Sequence, residues 1–200
     1  MTEAGPLPEW IIAELIDQLG RSVHGYAFTR GLNPAQWAAL RYYHRANRFS
    51  RTVGAFARYH ATTQGTASQT TSALLQKGYL RRCPVTTDRR SFQLELSAKA
   101  RQYLSQDPFE DLVTAARTLT TGQRLQLVGG LETMLGALRF NQNRGQFGTC
   151  GSCRHLWEGA ADDSAASYVC ALFGERLTRE EITGICANHQ PAAGPKSPRP

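Results

Sequence analysis

The 200-residue chain contains no run approaching the roughly 18 consecutive apolar residues of a membrane-spanning helix. Its first ten residues carry Glu3, Glu9 and two prolines, and lack the basic start and apolar stretch of a secretory leader. These two absences predict a cytoplasmic protein with no membrane partner. There is no Ser/His/Asp order, no phosphate-binding glycine loop and no carboxylate pair suited to acid–base work, so the chain reads as a non-enzyme. Internal repeats are absent too. His24, His44 and His60 are scattered without metal spacing. Acidic residues are scarce in one region. Between Asn33 and Ser105 only Asp88 and Glu95 stand against twelve lysines and arginines, a net +10 within a chain of net +7. A basic segment between near-neutral ones points to a polyanionic partner.

The elements follow from periodicity and punctuation. Leu7 to His24 places Trp10, Ile11, Leu15 and Leu19 at helical spacing, widened by Ile12 and Ile16. Asn33-Pro34 gives an N-cap and a proline at the first helical position. A helix from Pro34 to about Asn47 then has Trp37, Leu40 and Tyr43 on its apolar side. Thr52 to Tyr59 reads as a short helix, Gln64 to Thr66 as a turn and cap, and Ala67 to Lys77 as a further helix stopped by Gly78. Tyr79 to Arg82 is strand-like and Pro84 to Arg90 a loop. Phe92, Leu94 and Leu96 alternate with polar residues, the period-two signal of a half-buried strand. Ser97 caps a helix to about Leu104. A long helix begins at Thr121, with Leu125, Val128, Leu131, Leu135 and Leu138 as its stripe. Asn141 to Thr149 reads as a polar linker and the proline-rich residues from Pro191 as a disordered tail. The fold class expected is mainly α with a small β-hairpin wing.

Two short helices, a turn, a second helix and a basic hairpin are the order of a winged helix-turn-helix. An α-helix fits the major groove of B-DNA, and small polar side chains at its start reach base edges. The helix from Ala67 offers Ser68, Gln69, Thr70, Thr71 and Ser72 in succession. Arg89 and Arg90 at the hairpin tip suit the neighbouring minor groove or backbone.

The stretch TASQTTSALLQKGYLRRCPVTTDRRSFQLELSAKAR (residues 66–101) resembles the core of the MarR family of bacterial regulators. The matching features are the helix ending LLQKGYL, the arginine pair Arg81 and Arg82, the DRRS wing, and LELSAKAR leading into the next helix. The likeness extends over about Leu7 to Phe140. It implies a homodimer whose first and last helices intertwine. Each protomer would place one recognition helix in a pseudo-palindromic operator of double-stranded DNA. It also implies that Asp88 fixes the wing and that Arg90 contacts DNA, with Arg89 and Arg81 beside it. A repressor is the role expected. Members of the family respond to small phenolic or lipophilic ligands or to thiol oxidation, and the sequence leaves the effector open. Cys83 follows the arginine pair, where thiolate would be favoured by its basic neighbours.

Behind this region comes a cysteine module. Of five cysteines in the chain, four fall within 37 residues: Cys150 and Cys153 in a C-x-x-C turn, then Cys170, then Cys186 followed by His189. In a reducing compartment such spacing suits metal ligation better than disulfides. Zinc on Cys150, Cys153, Cys186 and either Cys170 or His189 is one reading. An iron–sulfur cluster on Cys150, Cys153, Cys170 and Cys186 is the other, with an apolar stretch around Cys170 as its shell. A site of either kind directly behind the long helix suggests sensing of metal or redox state.

The organisation expected is an N-terminal dimerisation helix (1–32), a winged helix-turn-helix (33–105), C-terminal dimerisation helices (106–141), a Cys-rich metal-binding module (142–190) and a disordered tail (191–200). Two other classes compete with a sequence-specific regulator. One is a redox or metal protein that uses the winged helix for protein contacts, and the other a non-specific architectural DNA binder.

Overall fold

The computed structural model describes residues 8–24, 31–85, 88–141, 147–158 and 168–192, with the side chains at 24, 85, 88–91, 140 and 141 outside that description. Seven α-helices and seven short strands are present among them: α1 (Glu9–His24), α2 (Pro34–Arg45), α3 (Val53–Tyr59), α4 (Gln64–Gln76), β1 (Leu80–Val85), β2 (Asp88–Leu96), α5 (Ala98–Leu104), α6 (Phe109–Arg117), α7 (Thr121–Asn141), β3 (Gly148–Thr149), β4 (Leu156–Glu158), β5 (Tyr168–Cys170), β6 (Glu175–Leu177) and β7 (Ile185–Cys186). None of the helices among the described residues is long and apolar enough to cross a membrane.

The core is built on α2. Asn33 caps it in a full capping box: its side chain accepts from the Gln36 amide, and the Gln36 side chain accepts from the Asn33 amide. Trp37, Leu40, Tyr42 and Tyr43 are buried along one side, where they meet Phe56 of α3, Leu74 of α4, and Leu94 and Leu96 of β2. Thr52 and Ser97 cap α3 and α5 through their side chains. Gly78, at φ +71°, turns the chain from α4 into the hairpin, a left-handed conformation that suits glycine. β1 and β2 pair antiparallel from Leu80 opposite Leu96 to Val85 opposite Asp88, with an irregularity between Pro84 and Val85.

Several expectations change. α4 begins at Gln64, not Ala67: Thr63 is the cap, accepting from the Thr66 amide, so the expected turn at 64–66 is the first turn of the helix. The wing strands are longer than expected, taking in Pro84, Val85 and Asp88–Arg90, and only 86–87 fall outside the description. Asp107 starts α6, whose bounds within the expected helical region 106–141 had no sequence signal, by accepting from the Phe109 amide at 2.9 Å while binding Arg41 at 2.8 Å. Gly148 and Thr149, expected in the linker, form β3. Pro191 and Ala192 are tied to the module through Cys153 and the Ser152 carbonyl, so the expected tail cannot begin before 193, outside the described residues.

α1 and α7 carry long apolar rows that stay exposed in the single chain. Trp10, Leu15 and Leu19 on α1, and Leu125, Val128 and Leu138 on α7, are about half exposed or more. Exposed apolar rows of this length mark a surface suited to helix pairing.

His60 ends α3 against the rings of Tyr42, Phe56 and Tyr59. Burial, and then the Arg41 charge, push its imidazole down to about 4, against a hydrogen bond to the Ala38 backbone that favours the charged ring. The unfolded chain takes up that proton near the ordinary histidine value, and the folded chain resists it until about pH 4. Stability from the neutral ring is therefore complete above the ordinary value and is lost as pH falls towards 4. We expect the wild type to lose more stability between pH 7 and pH 5 than His60→Gln, read from urea midpoints at both pH values. Equal losses would show that the ring titrates normally.

Candidate nucleic-acid interface and cysteine site

The face of α4 is set by which residues it buries. Ala67, Thr71 and Leu74, at helical spacing, point into the core. Thr71 is 2% exposed and its hydroxyl bonds the Tyr43 hydroxyl at 3.1 Å, so it does not belong to the outward face expected from the polar run. Ser68, Gln69 and Ser72 are exposed and Thr70 is half-buried. Gln64 and Thr66, in the first turn, are exposed on the same helix. The sequence reading missed them because Thr63 was not taken as the cap. The first turn holds no acidic residue, so the positive end of the helix dipole is left open to an anion.

On the wing, Arg81 is exposed and bridges Glu95 at 2.8 Å, and Arg82 lies over the Phe92 ring. Arg51 reaches the same carboxylate at 3.9 Å. Glu95, one of two acids in the basic region, is thus neutralised by arginines. The side chains of Asp88, Arg89 and Arg90 lie outside what the structure describes. Cys83 is not an activated thiol: burial and the neighbouring Glu95 raise its pKa, outweighing Arg81 and Arg51. The basic sequence around it suggested the opposite, because Glu95 comes alongside only through the hairpin register.

The four C-terminal cysteines converge. β3 pairs with β7, and β4, β5 and β6 form a small antiparallel sheet. Cys150 opens a 3-10 turn after β3 and Cys153 closes it, with its amide bonded to the Cys150 carbonyl at 2.9 Å. Cys170 ends β5 before a tight turn closed by Gly174, at φ +67°, and Cys186 ends β7. All four are buried free thiols. They line one hollow together with His155, Leu156, Leu172, Phe173, Leu177 and Asn188. Burial, then Cys186, pushes the Cys150 thiol up to about 11, with Asn47 acting the other way. Among the described residues no three His, Cys, Asp or Glu side chains are already gathered in a metal-holding arrangement. His189 does not line the hollow. Its Nε2 is 3.0 Å from the Ser152 hydroxyl, and its ring lies so close over Gly148 that a Cβ there would sit 2.7 Å from it.

The cysteine module is seated on the segment between α2 and α3. The Asn47 amide donates to the Ile185 carbonyl, the Ala187 amide donates to the Ser50 hydroxyl, and Ala46 bridges Ile185. Phe49 stacks on Phe173 at 4.2 Å. Arg48 binds Glu181 at 3.2 Å and the Arg176 carbonyl. Asn47 Nδ2 donates to the Cys150 sulfur at 3.8 Å. No sequence signal pairs Asn47 with a cysteine 103 residues away.

This arrangement defines the class: a winged helix-turn-helix. Residues 30–91 match the model of the MarR family. Among curated proteins no match was found. Solved structures share the fold. A MarR transcriptional regulator from Methanosarcina mazei is 21% identical over 66% of this chain and 99% of its own, with a TM-score of 0.52. The regulator BldR from Sulfolobus solfataricus is 21% identical over 64% and 91%, at 0.50. A mutant of S. aureus MepR is 16% identical over 66% and 99%, at 0.50. The chain therefore has the MarR-type fold.

Gly184 sits at the seam. A Cβ there would lie 3.0 Å from the Asn47 amide nitrogen and 3.2 Å from the Arg45 carbonyl, and backbone cannot swing aside. Gly184→Ala is expected to cost about 1–3 kcal/mol by overpacking, seen as a lower thermal midpoint. An unchanged midpoint would mean that the seam is open in solution.

Proposed function

We propose that this protein is a dimeric, sequence-specific DNA-binding transcriptional regulator of MarR type, acting as a repressor and not as an enzyme. The observation that carries this reading is the split of α4. Ala67, Thr71 and Leu74 lock one side into the core while Gln64, Thr66, Ser68, Gln69 and Ser72 stand exposed beside an arginine-rich wing. A rigid helix with small polar side chains outward is what base reading in a major groove requires. The exposed apolar rows of α1 and α7 support a homodimer, which would present two such helices to a pseudo-palindromic operator. A cleft of about 380 Å³ lined by Arg41, His44, Arg45, Arg101, Asp107, Phe109 and Glu110 has room for a small-molecule effector. The cysteine module is the second input, a zinc or iron–sulfur site that reports metal or redox state.

The test is a titration against the DNA upstream of its own gene, with random duplex as competitor. Gln69→Ala is expected to cost about 1–3 kcal/mol and to relax preference at one base position. Arg89→Ala or Arg90→Ala is expected to weaken binding evenly across sequences and to flatten the salt dependence, by about one unit of slope for a lost phosphate contact. Equal affinity for operator and random duplex would make the protein an architectural binder. No DNA binding at all would favour a metal protein that uses the winged helix for protein contacts.

A further inference from the structure

We propose that Cys150, Cys153, Cys170 and Cys186 bind one thiophilic metal centre as a tetrathiolate, and that Asn47 ties this centre to the winged helix so that loading orders residues 46–51. The inference deepens the sensing role given above, and rests on that reading only for its link to DNA.

The donor set selects the chemistry. Four buried thiols face one hollow whose other walls are largely leucine and phenylalanine, with no carboxylate among them. Soft thiolates without hard oxygen donors suit zinc or an iron–sulfur cluster and exclude magnesium and calcium. His189 stands outside the hollow with its Nε2 against the Ser152 hydroxyl, so the ligand set assigned is the four cysteines that line it. A tetrathiolate is rich in negative charge and needs N–H donors around its sulfurs. Asn47 is 2% exposed and supplies one from outside the module, its Nδ2 lying 3.8 Å from the Cys150 sulfur. His155 lines the hollow with its Nε2 buried and without a hydrogen-bond partner, an orphan that thiolate or sulfide would satisfy.

The route of coupling is short. Each thiol leaves its proton to solvent as it ligates. Cys150 and Cys186 stand at the ends of the paired strands β3 and β7. β7 is bonded directly to Ala46 and Asn47. From there the chain passes to Arg51, whose carbonyl accepts from Leu94 of the wing, and to Thr52, which caps α3. The cysteine strands are therefore bonded, through residues 46–52, to both the wing and the helix pair that carries the reading face.

The experiment uses the full chain, isolated without oxygen. Metal analysis and visible absorption should give one centre per chain. Zinc without a visible band identifies a single ion, whereas iron, sulfide and a broad band identify a cluster, and either result supports the site. Cys170→Ser should lose the metal and His189→Ala should keep it. Asn47→Asp, which keeps the shape but not the donor, and the milder Asn47→Ser should weaken metal affinity about 10-fold to 100-fold. They should also shift the charge-transfer band of the cluster, or of cobalt substituted for zinc. Stripping the metal should raise amide hydrogen exchange across residues 46–60. Metal-free wild type, stoichiometric metal in Cys170→Ser, loss of metal in His189→Ala, an unmoved affinity and band in both Asn47 variants, or unchanged exchange each overturns the proposal. These readouts need no DNA. A chain that holds metal and orders 46–60 but ignores its operator sinks the regulator reading alone.

Discussion

The segment from Ala46 to Arg51 sets the constraint on which the rest depends. Apart from a single 3-10 turn at Arg48–Ser50 it belongs to no α-helix or paired strand, so its polar backbone groups need partners from elsewhere. They find them from several directions. The Tyr42 hydroxyl donates to the Ser50 carbonyl, the Arg51 guanidinium donates to the Ala46 carbonyl, Leu94 of the wing donates to the Arg51 carbonyl, and the Asn47 amide donates to Ile185 of the cysteine module. The Arg51 bond closes the segment on itself, and each of the others fixes one element relative to it. The helix pair, the wing and the cysteine strands are thereby aligned by one short stretch of chain.

Charge follows the same geometry. The region from Asn33 to Ser105 is strongly basic, yet its arginines are not equivalent. Arg41 is held by Asp107 under Phe109, Arg48 by Glu175 and Glu181, and Arg81 by Glu95. The first two organise the protein itself. On the wing, Arg82 lies over the Phe92 ring instead of against a carboxylate. A simple count of basic residues overstates the DNA-facing charge, because acids distant in sequence come back to claim part of it.

Much of the fold was legible because local chemistry decides it. Asn33-Pro34, Thr52, Ser97 and Gly78 are start and stop signals that act within one turn, and each works as its residue type dictates. The start of α6 within the expected helical region was not legible because its first turn is fixed by Asp107, whose partner Arg41 is 66 residues away. Thr71 looked like the rest of its polar run. Only the Tyr43 hydroxyl, brought over by the packing of α2 on α4, gives it a reason to turn inward. Of the candidate site, the reading helix and the four cysteines were visible from composition and spacing. The seat of the module on residues 46–51 was not, since Gly184, Ile185 and Ala187 carry no pattern that names Asn47 or Ser50.

Ile185 has a further meaning for how the molecule can be divided. It is 8% exposed and belongs to the same apolar cluster as Leu40, Phe56 and Leu94. Cutting the chain after α7 would not release a smaller, finished winged helix. It would leave an unfilled seat in the core, an Asn47 amide without its acceptor and a Phe49 ring without its stacking partner. The cysteine region is thus less an appendage than a keystone, since residues 173–187 supply part of the core on which the reading half is built.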